Sequence, residues 1–198
     1  MSFEIGRNAK QTLKLLAPYL AVGVFWCAFS NAWLAILSYH AQILFWSRRT
    51  PLNLRWPIRN WAILLALSTA AAGPLVYFLL PYITQVELGS WLEKYHLSGL
   101  SFIVMIPYFG LLHPLLEQIH WARIREDTPV SNPMFAGYHI LVLYSLLTTP
   151  WLLVCFVILT SASFIWQQVA RRANSLAVPI VSHILADLGI IVAAWLKA

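Results

Sequence analysis

His113-Pro114-Leu115-Leu116-Glu117-Gln118-Ile119-His120-Trp121 lies near one end of an apolar run from Ser101 to Arg125. A helix needs about 20 mostly apolar residues to span a bilayer, so the run reads as a membrane-spanning helix. Glu117 is then the feature that organises the rest. An ionisable group in hydrocarbon is costly, faces the bundle interior and marks a functional site with a partner elsewhere. Pro114, one turn before Glu117, removes a backbone hydrogen bond and predicts a kink. His113 and His120, at i−4 and i+3, are placed on roughly the Glu117 face.

The remainder of the chain fits a helix of this kind. The sequence is 60% hydrophobic and 10% charged, against about 25% charged for a soluble domain. It predicts an all-α polytopic membrane bundle, a single membrane domain over residues 1–198, with about six transmembrane spans plus short interfacial helices. The spans are read as 16–46, 61–83 (kinked at Gly73-Pro74), 100–124, 133–148, 151–169 and 176–195. Residues 4–15 suit an interfacial helix feeding the first span, and Val86, Leu88, Trp91, Leu92 and Tyr95 approximate a short surface helix. His40, in the first span, is read as a satisfied interhelical hydrogen bond. Cys27 and Cys155 form no metal or redox motif and read as buried packing thiols.

The start, Met1-Ser2-Phe3-Glu4, lacks the basic region of a cleavable signal. A net charge of +6 is read as an orientation signal, not as a sign of nucleic acid. Arg48, Arg49, Arg55 and Arg59, among Trp46, Trp56 and Trp61, describe a headgroup-level segment. Six spans put both termini on one side. Eight lysines and arginines then fall on the loop side and five on the other, which places the arginine-bearing loops in the cytoplasm.

Depth singles out a site. Glu117 precedes the end of its span by about seven residues, His139 follows the start of its span by about six, and His183 by about eight. At 1.5 Å per residue all three lie roughly 10 Å below one membrane face. Asp187 is one turn from His183 on the same helix face and is suited to orient it.

These residues resemble the motifs of the CAAX protease and bacteriocin-processing family of intramembrane glutamic endopeptidases. Its first motif is two glutamates, three residues and an arginine, here matched by Glu117-Gln118-Ile119-His120-Trp121-Ala122. Its second, Phe, three residues, His, is matched by Phe135-Ala136-Gly137-Tyr138-His139. Its third, His, three residues, Asn or Asp, is matched by His183-Ile184-Leu185-Ala186-Asp187. Arg171-Arg172 resembles the basic turn before that motif. The likeness covers residues 100–195. It departs at Gln118 and at Ala122, and Arg123 points about 100° away from the position it would have to fill.

The resemblance implies an enzyme that hydrolyses a membrane-embedded or lipidated peptide without a cofactor, and the small size and short loops suit a bacterial inner membrane. Glu117 would activate water, His139 and His183 would hold the water or the oxyanion, and Asp187 would orient His183. Gln118, Phe135, His113 and His120 are supporting residues. The carboxylates and histidines also make a credible zinc set. The altered first motif equally suits an inactive homologue that binds a membrane peptide in an immunity or scaffold role. A transporter is disfavoured by the lack of an inverted repeat.

Overall fold

A computed structural model describes residues 2–47, 52–57 and 60–198, with side chains from Lys10 onward. Arg48, Arg49 and Arg59 of the expected headgroup segment, and the side chains of the expected interfacial stretch before Lys10, lie outside the described residues. The described chain is all helical: α1 (Ser2–Ala21), continued by a π-helical segment (Val22–Ala28), α2 (Ala32–Ser47), α3 (Asn60–Thr69), α4 (Ala72–Ile83), α5 (Leu88–Lys94), α6 (Gly99–Pro107), a second π-helical segment (Tyr108–Leu112), α7 (His113–Asp127), α8 (Ser131–Leu143), α9 (Thr149–Ala173) and α10 (Ala177–Lys197).

Among the described residues, five stretches are long and apolar enough to cross a membrane: Lys10–Ala28, Asn60–Ile83, Gly99–Asp127, Thr149–Ala173 and Ala177–Lys197. The exposed surface is correspondingly apolar, with Leu64, Phe78 and Leu153 turned outward, whereas Glu117, Gln118, Arg125 and His183 are buried. A contiguous apolar surface of this kind calls for lipid around it. α10 packs against α3, α4, α7 and α9 and is the most deeply enclosed of the five.

The first apolar run does not form one long span. It turns back at Phe29-Ser30-Asn31, where Ser30 has φ 49° and the Asn31 side chain accepts from the Leu34 amide at 2.9 Å. α1 with its π-helical extension and α2 are therefore an antiparallel hairpin. This moves the start of α1 to the side of the α2–α3 connection and the α9–α10 turn. Gln11 donates to Thr128, just past the end of α7, at 3.2 Å, and Asn53 bonds to the Asn174 carbonyl. On the opposite side, the Gln85 and Thr148 amides bond to the Leu146 and Ile83 carbonyls at 2.8 and 3.0 Å. With the hairpin counted, Lys10, Lys14, Arg55, Arg123, Arg125, Arg171 and Arg172 fall at one end of the bundle among the described residues, and Lys94 and Lys197 at the other. The near-even split expected for six spans is corrected accordingly.

The expected kink at Pro114 takes the form of the π-helical segment directly before α7. Pro114 has no N–H for the preceding turn, and widening that turn absorbs the mismatch. α7 then runs on to Asp127, so Arg125, expected in the following loop, belongs to the helix and is buried. α8, at 13 residues, spans only about 20 Å, short of the hydrocarbon core. Outside the spans, the Glu87 carboxylate caps α5 by accepting from the Gly89 and Ser90 amides at 2.7 and 2.5 Å. The Ser90 amide above all holds its pKa below the usual carboxylate range.

Gly73 on α4 and Gly189 on α10 meet backbone to backbone. A Cβ on Gly73 would lie 2.8 Å from the Gly189 Cα, and no side-chain adjustment relieves a clash with main chain. Gly73→Val is expected to destabilise the bundle by about 1–3 kcal/mol, as overpacking does. A drop in thermal unfolding temperature in detergent checks this, and an unchanged temperature would show that the helices part without cost.

Candidate functional site

The site is built on α7, with α2, α8 and α10 around it. Glu117 is fully buried, and its two carboxylate oxygens have different surroundings. Oε1 is saturated with donors. The Tyr39 hydroxyl donates to it at 3.0 Å, the Tyr138 hydroxyl makes a very short hydrogen bond to it, and the Trp121 indole N–H lies at 3.3 Å. Trp121 also donates to the Tyr39 hydroxyl at 2.9 Å, so Tyr39 accepts from one neighbour and gives its proton to Glu117.

Oε2 is buried with no hydrogen-bond partner, yet three imidazole Nε2 atoms surround it. His113 lies at 3.4 Å, His183 at 3.8 Å and His139 at 3.9 Å. These are ion-pair distances, longer than a hydrogen bond. A buried acceptor left unpaired costs about 1–3 kcal/mol. The arrangement thus holds a carboxylate oxygen ready for a water, a proton or a cation.

The histidines are held from behind. His139 Nδ1 donates to the Phe135 carbonyl at 2.8 Å, which directs Nε2 toward Glu117 and the Tyr138 hydroxyl, the latter at 3.0 Å. Tyr138 has one hydroxyl proton between Glu117 Oε1 and His139 Nε2. Glu117, Tyr138 and His139 are consequently satisfied together when the three share one additional proton. His113 Nδ1 meets His40 Nε2 at 2.9 Å, and His40 Nδ1 meets the Tyr108 hydroxyl at 2.8 Å. Among Glu117 and the three histidines around it, His139 is the most accessible, with 19% of its side chain exposed.

The tautomer of His183 is fixed by a cation three residues away from where the motif would have one. Arg125 can only donate, and its Nη1 donates to Gln118 Oε1 at 2.9 Å. This orients the amide so that Gln118 Nε2 donates to His183 Nδ1 at 3.1 Å. His183 therefore carries its proton on Nε2, which lies 3.3 Å from Asp187 Oδ2 as well as near Glu117. The Trp166 ring stacks on His183 at 4.4 Å and is pinned by its own bond to Ser182 at 3.0 Å. Phe135, also fully buried, packs against both His139 and the Arg125 guanidinium.

Glu117, His139, His183 and Asp187 thus converge, with Gln118, Phe135 and His113 in direct contact with them. His120 does not join: its Nε2 bonds to the Lys14 carbonyl on α1 at 3.1 Å, since i+3 places it toward α1 instead of α10. His40 makes the interhelical hydrogen bonds expected of it, to His113 and Tyr108, whereas Tyr39 and Tyr138 are site residues that the sequence reading passed over and Arg125 is one that it assigned to a loop. For metal binding, His113, Glu117 and His139 offer ligand atoms within 4.8 Å of one another, and both imidazoles have the other nitrogen engaged, as metal-bound histidines do. His183, protonated on Nε2, does not fit that set. No protein family, curated protein or solved structure matches this chain.

Proposed function

We propose that this chain is an intramembrane endopeptidase that hydrolyses a peptide bond of a membrane-embedded or lipid-anchored substrate by Glu117-activated water. The observation that carries this reading is the asymmetry of the Glu117 carboxylate. Three donors immobilise Oε1, while Oε2 has no partner and faces three imidazole nitrogens.

A water beside Oε2 gives its proton to Glu117 as its oxygen bonds to the scissile carbonyl carbon. The Nε2–H of His183 stabilises the developing oxyanion, with Asp187 steadying the imidazole. As the C–N bond breaks, Glu117 Oε2 returns the proton to the leaving amine, while the Tyr138 hydroxyl, between Glu117 Oε1 and the partly exposed His139 Nε2, holds the carboxylate in place. Gln118, at the second position of the first motif, acts as the orienting group for His183. The resemblance to the CAAX protease and bacteriocin-processing family supports the same chemistry.

The chain resides in a bacterial inner membrane on this reading, as its small size and short loops suit. The bundle end bearing Lys10, Lys14, Arg55, Arg123, Arg125, Arg171 and Arg172 faces the cytoplasm. Five long spans cross fully, and the short helices α2 and α8 complete the site from within the bundle.

A second reading has its own observation, the grouping of His113, Glu117 and His139. In it His113, Glu117 and His139 would hold a zinc-class ion, whose chemistry would be the activation of a water. The test is incubation of purified protein with membrane-embedded and lipidated peptides, with and without a chelator. Shortening that survives the chelator, in protein with less than a tenth of an equivalent of metal, supports the glutamate mechanism. Shortening that requires about one equivalent of zinc supports the ion. A peptide that binds and is never cut supports the inactive homologue.

A further inference from the structure

We infer that the positively charged end of the bundle contains a binding site for the phosphate headgroup of an anionic phospholipid, separate from the Glu117 centre. The inference does not depend on the hydrolase reading. The ends of α7 and α9, the turn 174–176 and the segment around Asn53 enclose a cavity of about 360 Å³. Its charged lining residues are Arg123, Arg125, Arg171 and Glu126, three cations against one carboxylate. The amide residues Asn53, Gln167 and Asn174 complete its polar wall.

The wall is a built structure. The Leu176 amide donates to the Asn53 carbonyl at 2.9 Å, and the Ser175 hydroxyl donates to the same oxygen at 3.2 Å. The Gln167 amide donates to the Arg125 carbonyl at 2.6 Å. The first two bonds tie the α2–α3 connection to the α9–α10 turn and the third ties α9 to α7, so the cavity is framed on all of these elements.

Two observations point to an anion. Arg125 has its Nε and Nη1 bonded to Ser163 and Gln118, but its Nη2 is buried without an acceptor. Arg171 is exposed and makes no ion pair among the described residues. A phosphate has the oxygens that guanidinium groups bind in pairs. The location selects a lipid as its source. The cavity lies where the spans end, at the level of headgroups, and basic pockets between helices on the positively charged side recognise anionic lipids. Arg125, which lines the cavity, also reaches Gln118 and orients the amide that sets the His183 tautomer.

The test uses the full-length protein in nanodiscs, with Arg171→Ala compared against Arg172→Ala. Arg172 is the adjacent exposed arginine and lines a different, largely apolar crevice with Trp61 and Phe164. Both variants remove one surface charge, so only position separates them. Bound lipid is counted by native mass spectrometry after exchange between phosphatidylglycerol and phosphatidylcholine. The expected result is retention of phosphatidylglycerol by the unmodified protein, a loss of about tenfold in Arg171→Ala, and a change of less than twofold in Arg172→Ala. Equal losses in both variants would reduce the effect to general surface charge and overturn the proposal, as would equal retention of the two lipids. Inorganic phosphate at millimolar concentration is the second arm. If it displaces the lipid, the occupant is a free anion and the lipid assignment is overturned.

Discussion

Glu117→Gln is expected to abolish peptide hydrolysis while leaving the bundle folded. A positioned general base contributes about 10²–10⁴ in rate, and an amide cannot take the proton. The loss should therefore be about a thousandfold or more in kcat, with little change in substrate binding. The variant should fold because the site suits an amide. Its oxygen takes the place of Oε1, where Tyr39, Tyr138 and Trp121 all approach. Its NH2 replaces the orphaned Oε2 and faces His139 Nε2, whose lone pair can accept because Nδ1 is committed to the Phe135 carbonyl. Unfolding temperature and product formation from one preparation check both halves. A variant that cuts at the normal rate would remove Glu117 from the chemistry. A variant that neither folds nor cuts would instead show that the carboxylate charge is needed for assembly, and Tyr138→Phe, which keeps that charge, would then carry the test.

The convergence of Glu117, His139, His183 and Asp187 was legible in the sequence because charge in hydrocarbon is expensive. Three such residues at one depth, with Asp187 one turn away, constrain each other even when no tertiary contact is known. The groups that hold them were less legible, for separate physical reasons. Tyr39 and Tyr138 are amphipathic rings whose apolar bodies suit any helix face, so only their hydroxyls, seen against Glu117, separate them from packing residues. The reversal at Phe29-Ser30-Asn31 contains neither glycine nor proline, so hydropathy merged two antiparallel helices into one run. That merger also placed Arg7, Lys10 and Lys14 on the wrong side and blurred the charge asymmetry. Arg125 was assigned to a loop because it follows the last apolar residue of the span. In the fold it is a buried cation whose counter-groups lie on α7 and α9, which no local pattern reveals.

The second large effect expected is a change in the protonation of His183 in Gln118→Glu. In the present chain Arg125 engages Oε1 of Gln118, the NH2 group faces His183 Nδ1, and that nitrogen must be unprotonated. A glutamate at this position offers Arg125 one oxygen and His183 the other, and both oxygens accept. His183 Nδ1 must then carry a proton. Hydrogen bonds to charged groups are worth about 1.5–3 kcal/mol, against about 0.5–1.5 for neutral ones. A charged acceptor at Nδ1 therefore favours the Nδ1-protonated form over the form the parent holds. Nε2 keeps its own proton, because Asp187 Oδ2 at 3.3 Å and Glu117 Oε2 at 3.8 Å both still require a donor. The variant thus holds an imidazolium where the parent holds a neutral ring, and the added buried carboxylate is neutralised by the added proton. ¹⁵N NMR of histidine-labelled protein, with His183 assigned by its loss in His183→Gln, reads this directly. The parent should show one protonated and one unprotonated ring nitrogen, and Gln118→Glu should show two protonated ones. An unchanged spectrum would mean that Arg125 does not orient residue 118. An imidazolium in the parent would mean that the amide is reversed and that the departure at Gln118 leaves His183 as a glutamate would.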